Sequence, residues 1–139
     1  MFIDASALLA ILNEAPEKDL LLYKIEQSRT VPHVSSVTIL ETVARYARSA
    51  QTLDTDPVPS DRFEAARQDV ADLLEAIGVK QIGLSGHMTE IALDYAVRYG
   101  KGRHPAALSL SECLSAACAK AYHMPLLYAG KRFDRVEPV

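Results

Sequence analysis

Apolar residues open the chain at Phe2 and Ile3 and give way at Asp4, and a second apolar run follows from Ala5 to Leu12. The pattern predicts a short buried strand feeding directly into an apolar helix. Leu20, Leu21, Tyr23, Lys24 and Ile25, placed after Pro16, predict an amphipathic helix over Glu17 to Ser28. The β-branched stretch from Thr30 to Val37 predicts a strand kept short by Pro32. Leu40, Val43, Ala44 and Ala47 recur at spacings of three and four, which predicts a helix from Thr38 to Ser49. Gln51 to Ser60 has prolines, aspartates and no apolar period, so it reads as a loop. Phe63, Ala66, Val70, Leu73, Leu74 and Ile77 then share one face of a long helix from Ser60 to Ile77, stopped by Gly78.

The second half repeats the alternation. Val79 to Leu84 reads as a strand, and Ser85 to Tyr99 as a helix with Met88, Ala92, Tyr95 and Tyr99 in register. A glycine-rich loop from Gly100 leads to a helix over Ser109 to Tyr122, then to a strand over Pro125 to Tyr128 closed by Gly130. The tail from Val136 to Val139 is a candidate edge strand. Strands alternating with helices predict an α/β fold: a mostly parallel twisted sheet of four or five strands, flanked by helices on both faces. No repeat or linker divides the 139 residues, so one domain over 1–139 is expected.

Composition narrows the partners. No apolar run reaches the roughly 18 residues of a membrane span, and Asp4 interrupts the order of a signal peptide. A cytoplasmic protein without membrane contact is the expectation. Cys113 and Cys118 lie five positions apart in one predicted helix, pointing well away from each other, so both are expected to pack in the core. A net charge of −3 argues against nonspecific wrapping of nucleic acid, yet leaves room for an enzyme that touches a few phosphates. Two local basic clusters are candidates for that contact, Arg98, Lys101, Arg103 and His104, and Lys131, Arg132 and Arg135, with solvated surface charge as the alternative and the preferred reading for Arg98 and Lys101. His104, before Pro105, is expected to make a local hydrogen bond.

Three acids stand at the starts of predicted helices: Asp4, Glu41 and Glu112. Each has a structural explanation. Asp4 can cap the helix from Ala5, and both Thr38-Ile-Leu-Glu41 and Ser109-Leu-Ser-Glu112 have the form of a capping box. Together they have a chemical one. Carboxylates at the carboxyl edges of parallel strands lie where open α/β sheets bind ligands, and magnesium or manganese takes such hard oxygen donors.

The chain resembles the PIN-domain proteins of the VapC type, ribonuclease toxins of bacterial toxin–antitoxin pairs. The likeness rests on Phe-Ile-Asp4-Ala-Ser6-Ala-Leu-Leu-Ala-Ile-Leu, on Ser-Ser-Val-Thr-Ile-Leu-Glu41-Thr-Val-Ala-Arg, and on the run from Tyr99 through Glu112 and Cys113 to Phe133. It implies a PIN-like parallel sheet and a Mg2+-dependent endoribonuclease, with Mn2+ as an alternative ion. It also implies an RNA substrate, a cognate antitoxin protein and a homodimer. Carried over residue by residue, Asp4, Glu41 and Glu112 become the metal-holding and catalytic acids, and Ser6 the hydroxyl that supports Asp4. The family's usual Leu-Asn-(Leu or Phe)-Gly-Asp-Cys is here Leu108-Ser109-Leu110-Ser111-Glu112-Cys113, so the third acid is one methylene longer. Where a fourth acid usually follows the glycine matching Gly130, Lys131 and Arg132 stand, with Asp134 as a more distant substitute. Lys131, Arg132 and Arg103 are the candidate contacts to substrate phosphate. The departures leave a second expectation open: a catalytically weakened PIN fold that acts mainly by binding an antitoxin, and operator DNA through it. A third, an aspartyl-phosphate enzyme using Asp4, lacks the second acid of an Asp-x-Asp pair.

Overall fold

A computed structural model describes residues 1–49 and 57–137. The elements run β1 (Phe2–Ile3), α1 (Ala5–Leu12), α2 (Lys18–Glu26), β2 (His33–Ser35), α3 (Ser36–Ser49), α4 (Ser60–Ala76), β3 (Lys80–Ile82), α5 (Gly86–Tyr99), α6 (Leu110–Ala121) and β4 (Leu126–Leu127), followed by a 3-10 turn at Phe133–Arg135. The sheet has four strands in the order β3-β2-β1-β4, and every pairing is parallel. The loop expected around Gln51 falls largely outside the described residues. The tail strand expected from Val136 is not formed at Val136 or Glu137; Val136 instead packs beside Phe133, and residues 138–139 are outside the description.

The two-residue side-chain period of a strand sorts the core into two layers. Ile3, Val34 and Leu127 face α1 and α2, in a cluster with Leu8, Ile11, Leu21 and Ile25. Phe2 faces the other way, against Met88 of α5 and Cys118 and Ala119 of α6. Helices therefore cover both faces, as the alternation of elements predicts. Pro32 has no N–H to give the ladder, but its carbonyl accepts from Lys80 N–H at 2.9 Å, so the β2–β3 pairing begins immediately after it.

Some predicted faces rotate. Leu40 and Ala44 of α3 are exposed, while Thr38, Thr42, Val43 and Ala47 are buried. The buried Thr42 hydroxyl is satisfied by donating 2.7 Å to the Thr38 carbonyl, which is how a polar residue takes a core position. Phe63 at the start of α4 is also exposed, and Ala66 and Val70 carry the contact with α3.

The strand order places a ligand crevice. From β1 the chain builds outward through β2 to β3 on one side, then crosses to add β4 on the other. The order reverses between β1 and β4, and in parallel sheets the cleft outside the carboxyl ends of such a strand pair is the usual ligand position. Asp4 directly follows β1 at that point.

Candidate functional site

Asp4 is 2% exposed and held from two directions. Its Oδ2 accepts the Ser6 N–H at 2.9 Å and the Ser6 hydroxyl at 2.6 Å, which makes it the N-cap of α1. Ser6 Oγ in turn accepts the Ala129 N–H at 3.2 Å. One hydroxyl thus ties the end of β1 to the residues just past β4, and fixes the carboxylate plane across the switch point. The other oxygen is different: Oδ1 is buried and has no hydrogen-bond partner. A buried polar oxygen left unpaired costs on the order of 1–3 kcal/mol. A cap needs only one oxygen, so capping does not account for the burial of the second.

Glu41 lies in the second turn of α3, which follows β2 without a loop. The capping box expected from Thr38 to Glu41 does not form. The helix begins two residues earlier, at Ser36, and the Thr38 N–H donates to Ser35 Oγ at 3.1 Å, making Ser35 the capping side chain. Glu41 Oε1 is therefore free of the backbone and pairs with Arg45 at 3.3 Å, one turn on.

Glu112 is in the first turn of α6, and here the capping box is complete. Glu112 Oε2 accepts the Ser109 N–H at 2.7 Å, and Ser109 Oγ accepts the Glu112 N–H at 3.2 Å. Oε2 also receives Arg132 Nη1 at 3.1 Å. Because Arg132 comes just after β4, this bond brings the start of α6 to the same carboxyl edge as Asp4. Helix α3 packs against both α1 and α6, so the helices that carry Glu41 and Glu112 and the helix that Asp4 caps are neighbouring elements. In this conformation, however, no three His, Cys, Asp or Glu side chains among the described residues are grouped so as to hold a metal ion.

The cations divide in a way the sequence does not show. Arg132 is spent on Glu112 and on the Ala107 carbonyl at 3.3 Å. Lys131 and Arg103 are exposed, with no ion-pair partner among the described residues. Lys131 borders a groove of about 460 Å³ between α2 and the end of β4, lined also by Leu20, Lys24 and Tyr128. Arg98 leaves the expected cluster, pairing with Glu137 at 2.9 Å. His104 Nδ1 accepts the Ala106 N–H at 3.1 Å, the local bond expected of it. Asp134 accepts the Tyr128 hydroxyl at 2.8 Å, a contact that occupies the distant substitute acid. The Arg45–Glu41 pair, missed from the sequence, was signalled by its four-residue spacing; the Arg132–Glu112 pair had no local signal.

The PIN domain family model matches residues 1–138. The chain belongs to the PIN-domain family. A VapC ribonuclease of Rhizobium meliloti is 32% identical over 138 residues, covering 98% of this chain and 97% of its own length. A ribonuclease VapC of Mycolicibacterium smegmatis is 31% identical over 134 residues, covering 96% and 93%. The fold also matches the crystal structure of Mycobacterium tuberculosis VapC20, named as a sarcin-ricin loop cleaving toxin, with a TM-score of 0.72 at 16% identity over 99% of this chain and 95% of that one. The PIN-domain α/β fold expected from the residues is thus the one observed. Among the described residues no helix is long and apolar enough to cross a membrane.

The donor chemistry can be tested against a divalent cation. Asp4 fits, since its unpartnered buried Oδ1 lacks only a hard electrophile or a water. Glu41 and Glu112 are the other anionic donors: Glu41 pairs with Arg45 and is free of the backbone, whereas Glu112 Oε2 is held both by Arg132 and by the Ser109 N–H of its capping box.

Proposed function

We propose that this PIN-domain protein is a Mg2+- or Mn2+-dependent endoribonuclease of a toxin–antitoxin pair. The single observation that carries the reading is Asp4: a buried carboxylate at the sheet's switch point with one oxygen clamped and the other unsatisfied. Asp4, Glu41 and Glu112 would hold the ion, which supplies a water of lowered pKa and offsets charge on the phosphate. The chain's own groups do the rest. Ser6 holds Asp4 in one orientation, and Ala129 N–H holds Ser6. Lys131 and Arg103, both exposed, bind and orient substrate phosphates. Attack by water, rather than by a ribose hydroxyl, leaves a 5′ phosphate and a 3′ hydroxyl. The relatives named VapC ribonucleases support the RNA substrate.

A cognate antitoxin and a second copy of the chain complete the proposal. Leu20 and Tyr23 on α2 and Leu40 on α3 are more than half exposed, which gives a partner apolar surface beside the acidic edge.

The test is cleavage of structured RNA with Mg2+ or Mn2+, by the wild type and by Asp4→Asn. Asparagine caps helices as well as aspartate does and keeps an acceptor for Ser6, so the variant should fold normally. Its cleavage rate should fall by about 100-fold or more, and wild-type products should carry 5′ phosphates. Equal rates for the two proteins would refute the assignment.

A further inference from the structure

The Arg132–Glu112 bond joins residues 20 positions apart, and the backbone on both sides of Arg132 is fixed. Gly130 turns the chain at φ +81°, a conformation other residues adopt only with strain, and Phe133, 6% exposed, anchors the 3-10 turn that follows. Arg132 is thus delivered to Glu112 at the start of α6 rather than waving in solvent. Both of its bonds, to Glu112 Oε2 and to the Ala107 carbonyl, use Nη1. Among the described residues Nη2 and Nε have no partner, and the side chain is 58% exposed. A guanidinium so placed has a free edge with the fork geometry that phosphate takes bidentately.

Building on the metal-dependent reading above, we propose that Arg132 is a positioning residue: it acts as an internal counterion that holds Glu112 away from the cation until an RNA phosphate draws the guanidinium off. A guanidinium and a divalent ion cannot share one glutamate oxygen without mutual repulsion at short range. When phosphate takes Arg132, Glu112 keeps the Ser109 N–H bond on Oε2 but loses its competing cation, and its carboxylate becomes available to the ion. Metal and RNA therefore bind cooperatively, each raising the affinity for the other by the same factor. This arrangement keeps the site weakly loaded without substrate. The Glu41–Arg45 pair does not share the role, because it is a local pair within one helix and Arg45 is not held by any other described element.

The experiment is a Mn2+ titration read by the EPR signal of free ion, independent of cleavage. Arg132→Gln should bind Mn2+ about 5- to 20-fold tighter than wild type without RNA. Arg132→Lys, which keeps the charge, should stay within about 2-fold of wild type, and Glu112→Gln added to Arg132→Gln should remove the gain. A 2′-O-methyl RNA oligonucleotide, corrected for the Mn2+ it binds alone, should tighten wild-type binding and leave Arg132→Gln unmoved. Mn2+ affinity that Asp4→Asn abolishes but Arg132→Gln leaves equal or weakens would overturn the counterion role alone. No Mn2+ binding by wild type or Arg132→Gln would overturn the metal reading beneath it. A wild type indifferent to the oligonucleotide would overturn the coupling to RNA.

Discussion

Single residues carry two kinds of information here, and Asp4 shows how they separate. From the sequence Asp4 taken alone reads first as a cap, and as a ligand only together with Glu41 and Glu112, because both roles want a carboxylate before Ala5. Three-dimensional accounting separates them: the cap uses Oδ2, and the buried Oδ1 is left over. Cys118 gives the opposite case, a reactive side chain with no reactive role. Its expected place in the core is the observed one, at 0% exposure, and burial pushes its thiol from 9.0 up to about 11. Burial also raises Cys113, Tyr95, Tyr128 and Tyr46. The sign follows from linkage. A thiol whose folded pKa exceeds its unfolded value keeps its proton in the folded state while the unfolded state loses it. The stabilisation is complete below pH 9 and drains away as pH rises towards 11. Urea unfolding should therefore show a fall of ~2 kcal/mol from Cys118 across that window, added to by the buried Cys113 and Tyr95, whose shifts have the same sign. Cys118→Ala should begin lower by about 1 kcal/mol, for the lost sulfur contacts, but fall less steeply above pH 9. Parallel slopes for the two proteins would contradict the attribution.

Elements were legible where the local pattern had one solution. The capping signature at Ser109 and Glu112 is such a case, and it formed as read. The same signature at Thr38 and Glu41 failed because Ser-Ser-Val-Thr-Ile-Leu-Glu contains two overlapping starts, Ser35 to Thr38 and Thr38 to Glu41. Strand pairing decides between them: β2 pairs with β3 as far as Ser35, so the helix starts at Ser36 and the earlier serine caps it. That long-range fact is absent from any window of sequence. Helix α6 illustrates a second limit. Its run Ser115 to Ala119 is buried on every side, because α6 packs against α3, α5, β1 and β4 together. Small side chains let so many neighbours approach closely, and the periodicity of a one-sided helix is lost. Ala117→Leu should then overpack the core and cost about 1–3 kcal/mol, lowering the melting midpoint by roughly 4 °C for each kcal/mol. Leu110→Ala, one of the most exposed apolar positions at the same helix's start, should change stability by no more than about 0.5 kcal/mol. Circular-dichroism melts of the two variants make the comparison, and an unshifted Ala117→Leu would mean the helix is not packed as described.

At the scale of the whole molecule, alternation of elements fixes a parallel sheet, but only the strand order puts Asp4 beside the end of β4 and brings Arg132 to Glu112. The site is therefore a property of topology more than of any motif, and its energetics should be visible in global stability. Without an ion the fold carries an unpaired buried oxygen on Asp4 and two glutamates held by arginines. An ion that binds only the folded chain stabilises it by mass action, about 2.7 kcal/mol at 100 times its dissociation constant. Saturating Mn2+ should accordingly raise the melting midpoint by several degrees, roughly 4 °C per kcal/mol, and EDTA should reverse the rise. Asp4→Asn should melt no lower than the wild type without metal, since the amide keeps the cap and removes the unpaired charge, and it should gain nothing from Mn2+. A cation effect equal in the two proteins would place binding elsewhere on the surface. A variant that melted far below the metal-free wild type would make Asp4 a purely structural residue, and the acidic edge would then have no claim to a metal.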